Sequence, residues 1–358
     1  MAGLRLQHTN FTEDQLRVIN EMRHSWLAYK KYAWGHDHLK PISRTYHDWF
    51  GIGLTMIDSI DTLVLMGLHE YVQEILDWSP NMNFDKDVSV NCFETTIRVL
   101  GGLLSAFHLT GEPVFKEKAL DIGDRLYYCY RSGSSKVPFS DVNLKHRTSK
   151  SPVWFVESST SEISTIQIEF RDLSRTVGDS KYETVAFRTS QLLHDLVKSA
   201  RDPLVQMYVN PNTEQFKRSR ITFGARADSY YEYLMKQYIQ TGIKWLEEDF
   251  IDAIEAMRKR LLQTTKGEHR LTYVAELSDG GSISPKQDHL VCFLPGTLAL
   301  GYYKHTKKFA NNLDIPMYKG RPLDAIYREH LEIAEQLART CWFTHNTTET
   351  GLPPEMYV

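Results

Sequence analysis

Apolar and polar positions along the chain form paired segments, and a glycine separates the two members of each pair. The segment before the glycine is apolar on most sides, as in TTIRVLGGLLSAFHL, whereas the segment after it mixes charged and apolar residues at helical spacing, as in VFKEKALDIGDRLYYCY. A helix that is apolar all round is buried, and an amphipathic helix covers it from outside. Glycine ends a helix readily because it adopts the left-handed conformation. We assign this helix-ending role to Gly67, Gly111, Gly178, Gly242 and Gly301.

This repeat predicts about eleven helices, most of them in inner and outer pairs. Two runs rich in β-branched residues, around NPN and around DGG, indicate β-hairpins. Helix pairs that stack in a circle, with hairpins on one rim, form an α/α toroid. An open α-solenoid stays possible from the repeat alone, because the pattern does not show whether the ring closes. We expect an outer helix near 13–32 and pairs near 53–78, 92–130, 162–198, 227–264 and 289–340.

Composition narrows the class of protein. The 358 residues are 42% hydrophobic and 24% charged, which is enough apolar material for a large core and unlike a disordered chain. The net charge of −3 argues against nucleic acid as the main partner. No apolar run approaches the roughly 18 residues that a membrane span needs. A neutral ligand fits this composition best.

Four polar residues lie near the starts of successive inner helices, and they are the candidate catalytic group. Measured back from the glycine that follows, Glu94 is at 17 residues, Glu162 at 16, Asp228 at 14 and His289 at 12. Inner helices of a ring run roughly parallel, so residues at similar heights converge on one end of the cavity. Carboxylates brought together there shift one another's pKa values, and glycoside hydrolysis uses such a pair. Taken singly, each carboxylate could instead be an ordinary helix-capping residue.

Two arginines accompany these residues. Arg98 lies four residues after Glu94 on the same helix face, and Arg226 lies two residues before Asp228 in GARAD. Each can hold a carboxylate or a sugar hydroxyl in place, or can form an ion pair with a purely structural role.

The cysteines and the N-glycosylation triplets relate to the cellular compartment in which the protein folds. Four cysteines without CxxC spacing give little support to a zinc site or a thioredoxin-like motif, and they leave the redox state open. The N-x-[ST] triplets at Asn10 and Asn346 matter only if the chain enters a secretory lumen.

The chain resembles glycoside hydrolase family 47, the class I α-1,2-mannosidases, over nearly its whole length. The resemblance is carried in order by YKKYAWGHDHLKPISRTYHDWFGIGLTMIDSIDTL, NCFETTIRVLGGLLSAFHLTGE, SEISTIQIEFRDLSR, GARADSYYEYLMKQYI and QDHLVCFLPGTLALG. Within the family, GARADSYYEYL and HLVCFLPGTLALG are most similar to the endoplasmic-reticulum type.

The resemblance implies an all-α fold, the (α/α)7 barrel, and roles for the polar residues. Glu94 in CFETTIR matches the proton donor, Asp228 in GARAD matches a second catalytic carboxylate, and His289 in QDHLVCF matches a further active-site residue. The substrate-binding positions that the resemblance implies are Arg98, Glu162 and Arg226.

The resemblance also bears on the cysteines. Cys292 and Cys341 match the structural disulfide of the family, which leaves Cys92 and Cys129 as expected free thiols. A disulfide supports an oxidising lumen.

Two blocks of the family, R-P-E-T-x-E-S and N-T-E-A-H-P, do not occur in this sequence. The first carries a carboxylate proposed as the general base, and the second a threonine that binds calcium. We therefore interpret residues 1–358 as one family 47 catalytic domain, truncated at its C-terminus, with an incomplete barrel. We expect no metal ligand in this chain, although the complete family member binds Ca²⁺.

The expected function is that of a mannosyl-oligosaccharide 1,2-α-mannosidase, which hydrolyses terminal α-1,2-linked mannose of high-mannose N-glycans with inversion. The activity of the chain by itself stays open. The alternative is a catalytically inactive glycan-binding chain of the same fold, because the base and calcium blocks are absent. The expected location is the lumen of the endoplasmic reticulum or early Golgi, in a parent of type II membrane topology.

Overall fold

The paired apolar and amphipathic segments form helices in the computed structural model, which describes residues 11–131, 133–151, 156–309 and 315–358. Eleven of the helices within those ranges have ten residues or more, which confirms the predicted number. A π-helical segment, Thr95–Leu100, joins α4 to α5. The helices are α1 (Glu13–Ala33), α2 (Leu54–Leu65), α3 (His69–Trp78), α4 (Cys92–Glu94), α5 (Gly101–Thr110), α6 (Pro113–Leu126), α7 (Thr160–Ser164), α8 (Gln167–Val177), α9 (Lys181–Ala200), α10 (Asp228–Thr241), α11 (Lys244–Arg260), α12 (Leu294–Phe309) and α13 (Leu323–Asn346).

Short antiparallel strands lie between the helices. Strands β3, β4 and β5 form one three-stranded sheet and β6, β7 and β8 form another, while the others pair as β1–β2, β9–β10, β11–β12, β13–β16 and β14–β15. The hairpins expected around NPN and DGG are confirmed as β7–β8 and β11–β12. The strands are β1 (His38–Lys40), β2 (Thr45–His47), β3 (Ser89–Asn91), β4 (Asp141–Asn143), β5 (Ser149–Lys150), β6 (Ser158–Ser159), β7 (Tyr208–Asn210), β8 (Gln215–Lys217), β9 (Leu262–Thr264), β10 (Thr272–Val274), β11 (Glu276–Leu277), β12 (Ile283–Ser284), β13 (Gln287–Asp288), β14 (Met317–Tyr318), β15 (Arg321–Pro322) and β16 (Met356–Tyr357).

The chain divides into two compact units, and each is described by itself. Unit 1 is Met1–Val156 with Glu169–Arg188, and unit 2 is Glu157–Ile168 with Thr189–Val358. The interpretation of residues 1–358 as a single domain stays a prediction.

Four of the five glycines expected to end a helix do so. Gly67, Gly111, Gly178 and Gly242 have φ values of 72°, 73°, 78° and 74°, in the left-handed region. The assignment of Gly301 is wrong, because this residue lies inside α12. A side chain there would come within 3.1 Å of the Tyr327 ring, so the glycine permits close helix packing rather than a turn. His289 lies 12 residues before Gly301. Because Gly301 does not end a helix, this spacing does not show that His289 lies at the same height as the other three polar residues.

The core of unit 1 forms where α5 crosses α2. Gly102 makes the crossing close, since an added Cβ would lie 2.8 Å from the Ile57 carbonyl oxygen. Ile57, Ile60 and Leu63 of α2 are completely buried. Burial of one such side chain contributes roughly 1.5–3 kcal/mol.

A buried carboxylate organises the turn that leads into α2. Asp37 is completely buried, and its two carboxylate oxygens accept hydrogen bonds from the backbone N–H groups of residues 49–54 at 2.5–3.0 Å. Burial alone would raise the pKa of Asp37, but these hydrogen bonds outweigh it and hold the pKa below its ordinary value. The ionised carboxylate therefore fixes the start of the helix.

In unit 2, α10 packs against α11, and α12 packs against α13. The fully buried side chains of Tyr231, Phe250 and Leu298 contribute to this core.

Each of the two units contains one disulfide. The Cys292–Cys341 bond is confirmed, with the two Cα atoms 5.9 Å apart. The expectation that Cys92 and Cys129 are free is wrong, because they form a second disulfide with a Cα–Cα distance of 6.4 Å. Cys129 lies in the 3-10 helix Tyr127–Tyr130 that follows α6, and Cys92 begins α4. Their proximity is not visible in the cysteine spacing.

Candidate active site

In unit 1, Glu94 is the last residue of α4, and its position is fixed from both sides. The Asn91 side chain caps the helix by accepting a hydrogen bond from the Glu94 backbone N–H at 2.9 Å. Cys92, two residues before Glu94, is buried in its disulfide. The π-helical segment begins directly after Glu94, and such wide turns often occur at functional sites.

Arg98 joins two carboxylates in unit 1. Its Nε donates to Glu94 Oε2 at 2.8 Å, which confirms the contact expected from their spacing, and its Nη1 donates to Asp58 Oδ2 at 3.3 Å. The Glu94 side chain is 25% exposed, and those of Asp58 and Arg98 are about 40% exposed. The three groups thus carry a formal charge of −1 at a surface that water and a ligand can reach.

The charges of this trio affect its protonation. Partial burial raises the pKa of Asp58, the Arg98 cation opposes this shift, and the charges of Asp61 and Glu94 add to it. Partial burial alone would lower the pKa of Arg98, but the two carboxylates outweigh it and raise the pKa. Asp58 therefore holds a proton more readily than an isolated aspartate.

In unit 2, Asp228 is the first residue of α10. Its Oδ1 accepts a hydrogen bond from Ser161 Oγ at 2.6 Å and another from the Ser229 backbone N–H at 2.8 Å. Burial raises the pKa of Asp228, although both hydrogen bonds act in the opposite direction. A carboxylate with a raised pKa is a stronger base once it is ionised.

Glu162 lies one residue after Ser161, in the first turn of α7. Its Oε2 accepts a hydrogen bond from the Ser159 backbone N–H at 2.9 Å, and the Ser159 side chain caps the Glu162 N–H in return. Reciprocal capping of this kind is an ordinary structural role, and it is the alternative to a catalytic or substrate-binding role for Glu162. A substrate-binding role for Glu162 stays a prediction.

Arg226 lies in the loop between β8 and α10, at an unusual backbone conformation. Its φ is 78°, its side chain is exposed, and its guanidinium lies 5.7 Å from the centre of the Tyr208 ring. The Arg226 carbonyl oxygen accepts a hydrogen bond from the Ser161 N–H at 2.9 Å. The loop that leads to Asp228 is therefore tied to the start of α7, which carries Glu162.

Asp288 braces the same loop from the other side. Its Oδ2 accepts a hydrogen bond from the Ala225 N–H at 3.0 Å, and its Oδ1 lies 2.9 Å from the Lys286 ammonium. An added Cβ at Gly224 would lie 2.3 Å from the Asp288 carboxylate, so only glycine allows this approach. Asp288 directly precedes His289, so its hydrogen bond to Ala225 connects the loop before Asp228 to the segment that carries His289. Within unit 2 the structure thus links the segments that carry Glu162, Asp228 and His289.

His289 begins the short 3-10 helix His289–Phe293 and contacts a second histidine. Its Nε2 lies 3.0 Å from His345 Nε2, and His345 Nδ1 lies 3.0 Å from the Gly351 carbonyl oxygen. A neutral His345 must donate from Nδ1 to that carbonyl, so its Nε2 accepts and His289 Nε2 donates. In this tautomer, His289 Nδ1 is left as an acceptor nitrogen.

Sequence reasoning missed Asp58, Ser161, Asp288 and His345. A signal for Asp58 existed, since an aspartate in the otherwise apolar helix LTMIDSIDTLVL requires a partner. The hydrogen bonds of Ser161 and His345 cross 67 and 56 residues, and no local pattern shows such partners.

The family resemblance implies a calcium ion in the complete family member, and which residues hold it stays a prediction. Calcium takes six to eight oxygen ligands, whereas the described part of the chain contains no group of three or more histidine, cysteine, aspartate or glutamate side chains suited to a metal ion.

The comparisons with known proteins agree with the resemblance seen in the sequence. The model of glycosyl hydrolase family 47 matches residues 21–358. The endoplasmic reticulum mannosyl-oligosaccharide 1,2-alpha-mannosidase of Homo sapiens is 44% identical over 353 residues, which cover 98% of this chain and 47% of that protein. The protein of the same name from Rattus norvegicus is 44% identical over 348 residues, which cover 96% of this chain and 49% of that protein. The chain therefore spans about half the length of these curated relatives.

A solved structure shows the fold. The alpha-1,2-mannosidase from Trichoderma reesei is similar with a TM-score of 0.82 at 24% identity, and the match covers 96% of this chain and 70% of that one. The predicted fold class is confirmed: an all-α fold of the (α/α)7-barrel type, incomplete here, with about eleven helices and β-hairpins.

Proposed function

Because the chain belongs to glycosyl hydrolase family 47, we propose that it is part of an α-1,2-mannosidase that trims high-mannose N-glycans with inversion. The observation that carries this proposal is the match of the family model to residues 21–358, together with 44% identity to relatives named as mannosidases. The proposal concerns the whole protein to which this chain contributes.

Glu94 is the proposed general acid, which protonates the glycosidic oxygen as the mannose leaves. The Arg98 guanidinium, 2.8 Å from Glu94, orients the carboxyl group, and Asp58 shares that guanidinium. In an inverting reaction a base activates water on the opposite face of the sugar.

Unit 2 supplies the other proposed catalytic residues, Asp228 and His289. Burial raises the pKa of Asp228, so its ionised form accepts a proton more strongly than an exposed aspartate. The Nδ1 of His289 can accept a hydrogen bond from a sugar hydroxyl or from water. Arg226 and Glu162 are proposed to bind substrate hydroxyls. The same role is proposed for Arg98 of unit 1.

The proposed location is the lumen of the endoplasmic reticulum, with the early Golgi as the alternative. Both disulfides are consistent with an oxidising compartment, and the relatives are named for the endoplasmic reticulum. We propose type II membrane topology for the parent. Within the described residues, no helix has the length and apolarity to span a bilayer.

Substitution of Glu94 by glutamine in the full-length protein tests the acid. Glutamine has the shape of glutamate but cannot donate the proton, so release of α-1,2-linked mannose should fall by about 10²-fold or more. Glu117→Gln, the same change at an exposed position of α6, should retain full activity. Turnover is followed by the mannose released from a high-mannose glycan.

The anomer that is released first tests inversion independently of Glu94. β-Mannose is expected, and α-mannose would contradict the inverting mechanism. Glycan binding without any turnover by the full-length protein would favour the alternative of a non-catalytic glycan-binding chain. Persistent turnover by the Glu94→Gln variant would exclude Glu94 as the acid.

A further inference from the structure

Helix α13 ends at a sequon for N-linked glycosylation. Asn346 is the last residue of the helix, and Thr347 and Thr348 complete an N-x-T triplet without proline. Such triplets accept a glycan when the chain enters a secretory lumen. The Asn346 side chain is exposed in the described chain. The second sequon, at Asn10, lies outside the described residues.

An exposed indole lies about one helical turn before this asparagine on α13. Trp342 precedes Asn346 by four residues, and side chains at this spacing are neighbours on one helix face. Trp342 is 60% exposed, whereas Leu337 and Thr340 on the inner side of the same helix are buried. A tryptophan presents a large apolar area, and leaving most of it in water forgoes the free energy of its burial.

We propose that Asn346 carries an N-linked glycan and that the first sugar of this glycan packs against the indole of Trp342. The apolar face of a pyranose ring can cover an aromatic ring, while its hydroxyls stay in water. Asn346 thus supplies the nitrogen atom to which the glycan is attached, and Trp342 supplies the surface that orders the first sugar.

The attachment is a transfer from a lipid-pyrophosphate-linked oligosaccharide, catalysed by an oligosaccharyltransferase of the lumen. Asn346 Nδ2 forms a bond to the anomeric carbon of the first N-acetylglucosamine. The bond from that carbon to the pyrophosphate oxygen breaks, and the lipid pyrophosphate leaves with the electron pair. The amide nitrogen loses one proton, which passes to water as the lipid pyrophosphate leaves, and no oxidation or reduction occurs.

This inference rests on the proposed function, because glycan transfer requires the lumenal location. The neighbouring disulfide requires an oxidising compartment as well, and Cys341 lies five residues before Asn346. Disulfide formation and glycan attachment therefore report on the same compartment through independent chemistry.

The attachment is tested on the full-length protein expressed in its own secretory pathway, in an Asn10→Gln background so that the other sequon does not contribute. Mass spectrometry of the peptide that contains residue 346 should show a high-mannose or trimmed glycan. Asn346→Gln and Thr348→Ala should both abolish it. Thr347→Ala is the matched control, because the middle position of the triplet is free and the glycan should remain.

The packing is tested by thermal unfolding before and after enzymatic removal of the glycan. Deglycosylation should lower the Tm of the protein with Trp342, and it should lower the Tm of Trp342→Ala by less. Tyr303→Ala, a change at an exposed aromatic residue of α12, should leave the effect of deglycosylation unchanged. Equal effects in the Trp342→Ala variant and in the parent would overturn the packing.

The two proposals fail in different ways. An unmodified Asn346 in a protein whose cysteines are all oxidised would overturn the glycosylation and leave the lumenal function intact. Four reduced cysteines together with an unmodified Asn346 would contradict the lumenal location itself. A glycosylated protein without mannosidase activity would support this inference and contradict the proposed function.

Discussion

Asp228 begins helix α10 with its carboxylate partly removed from water, and this burial opposes ionisation. Because burial raises the pKa of Asp228 above that of the unfolded chain, the folded state binds its proton more tightly than the unfolded state. The folded protein therefore loses stability as the pH rises from the unfolded value through the raised folded one. The buried carboxylate of Asp228, which we propose to be catalytic, thus costs stability at neutral pH.

Asp228→Asn should be at least as stable as the parent at pH 7, because asparagine carries no charge and its oxygen can still accept both hydrogen bonds. The difference should shrink as the pH falls below about 3.9, the ordinary pKa of aspartate, because the side chain then becomes protonated in both states. Urea unfolding at several pH values measures this.

The control for this series is Asp195→Asn, at an exposed position of α9. Its stability should follow that of the parent at every pH. A lower unfolding midpoint for Asp228→Asn at pH 7 would contradict the assigned cost of ionisation.

At the scale of single residues, the sequence revealed candidates but not their partners. The spacing of four residues predicted the contact of Arg98 with Glu94, because side chains one helical turn apart are neighbours. The contact of Arg98 with Asp58 spans 40 residues and depends on how two helices cross, which no local pattern specifies. The roles of the six predicted site residues stay predictions.

At the scale of elements, a close helix crossing places Asp58 beside Arg98. Gly102 of α5 leaves so little space that an added Cβ would lie 2.8 Å from the Ile57 oxygen and 3.3 Å from the Ile57 carbonyl carbon. These are backbone atoms, so they cannot rotate away as a side chain can. The glycine therefore controls the distance between the helices.

Gly102→Ala should destabilise the protein by about 1–3 kcal/mol, because overpacking outweighs the better helix propensity of alanine. Gly101→Ala is the matched control, since its added Cβ would meet its nearest neighbour at 3.5 Å, an ordinary contact. That variant should be neutral or up to about 1 kcal/mol more stable. Urea unfolding of both variants measures the difference, and equal stabilities would contradict the close crossing.

Helices and their ends were largely predictable, for a physical reason that also explains the exception. Four glycines follow an apolar segment and adopt positive φ, as the pattern predicted. Gly301 has the same local surroundings but lies inside α12, because its lack of a side chain serves packing against Tyr327 instead. Glycine is required both where a helix ends at a positive φ and where another side chain packs closely against the helix. The local pattern of apolar and polar residues is the same in both cases.

At the scale of the whole molecule, each unit contains one disulfide. Cys92–Cys129 joins residues 37 apart in unit 1, and Cys292–Cys341 joins residues 49 apart in unit 2. Loops of this length restrict the unfolded chain by about 4 kcal/mol each in the chain-entropy treatment. The Cys92–Cys129 bond could not be predicted, because the family resemblance assigned only the other pair.

Cys129→Ser and Cys341→Ser should each lower the free energy of unfolding by about 2–5 kcal/mol. Reductant should destabilise the parent to the level of the variant that carries both changes, and it should leave that double variant unaffected. Guanidinium unfolding with and without reductant measures these values. A parent protein insensitive to reductant would contradict the second disulfide.

The Cys92–Cys129 bond also makes residues 92–129 a covalent ring around the Gly111 turn. A protease that cuts once inside this ring opens the polypeptide without separating its fragments, so the mass on a non-reducing gel stays that of the intact chain. The two pieces part only when a thiol is added. A nick in this exposed connection is thus hidden from any assay that keeps the protein oxidised.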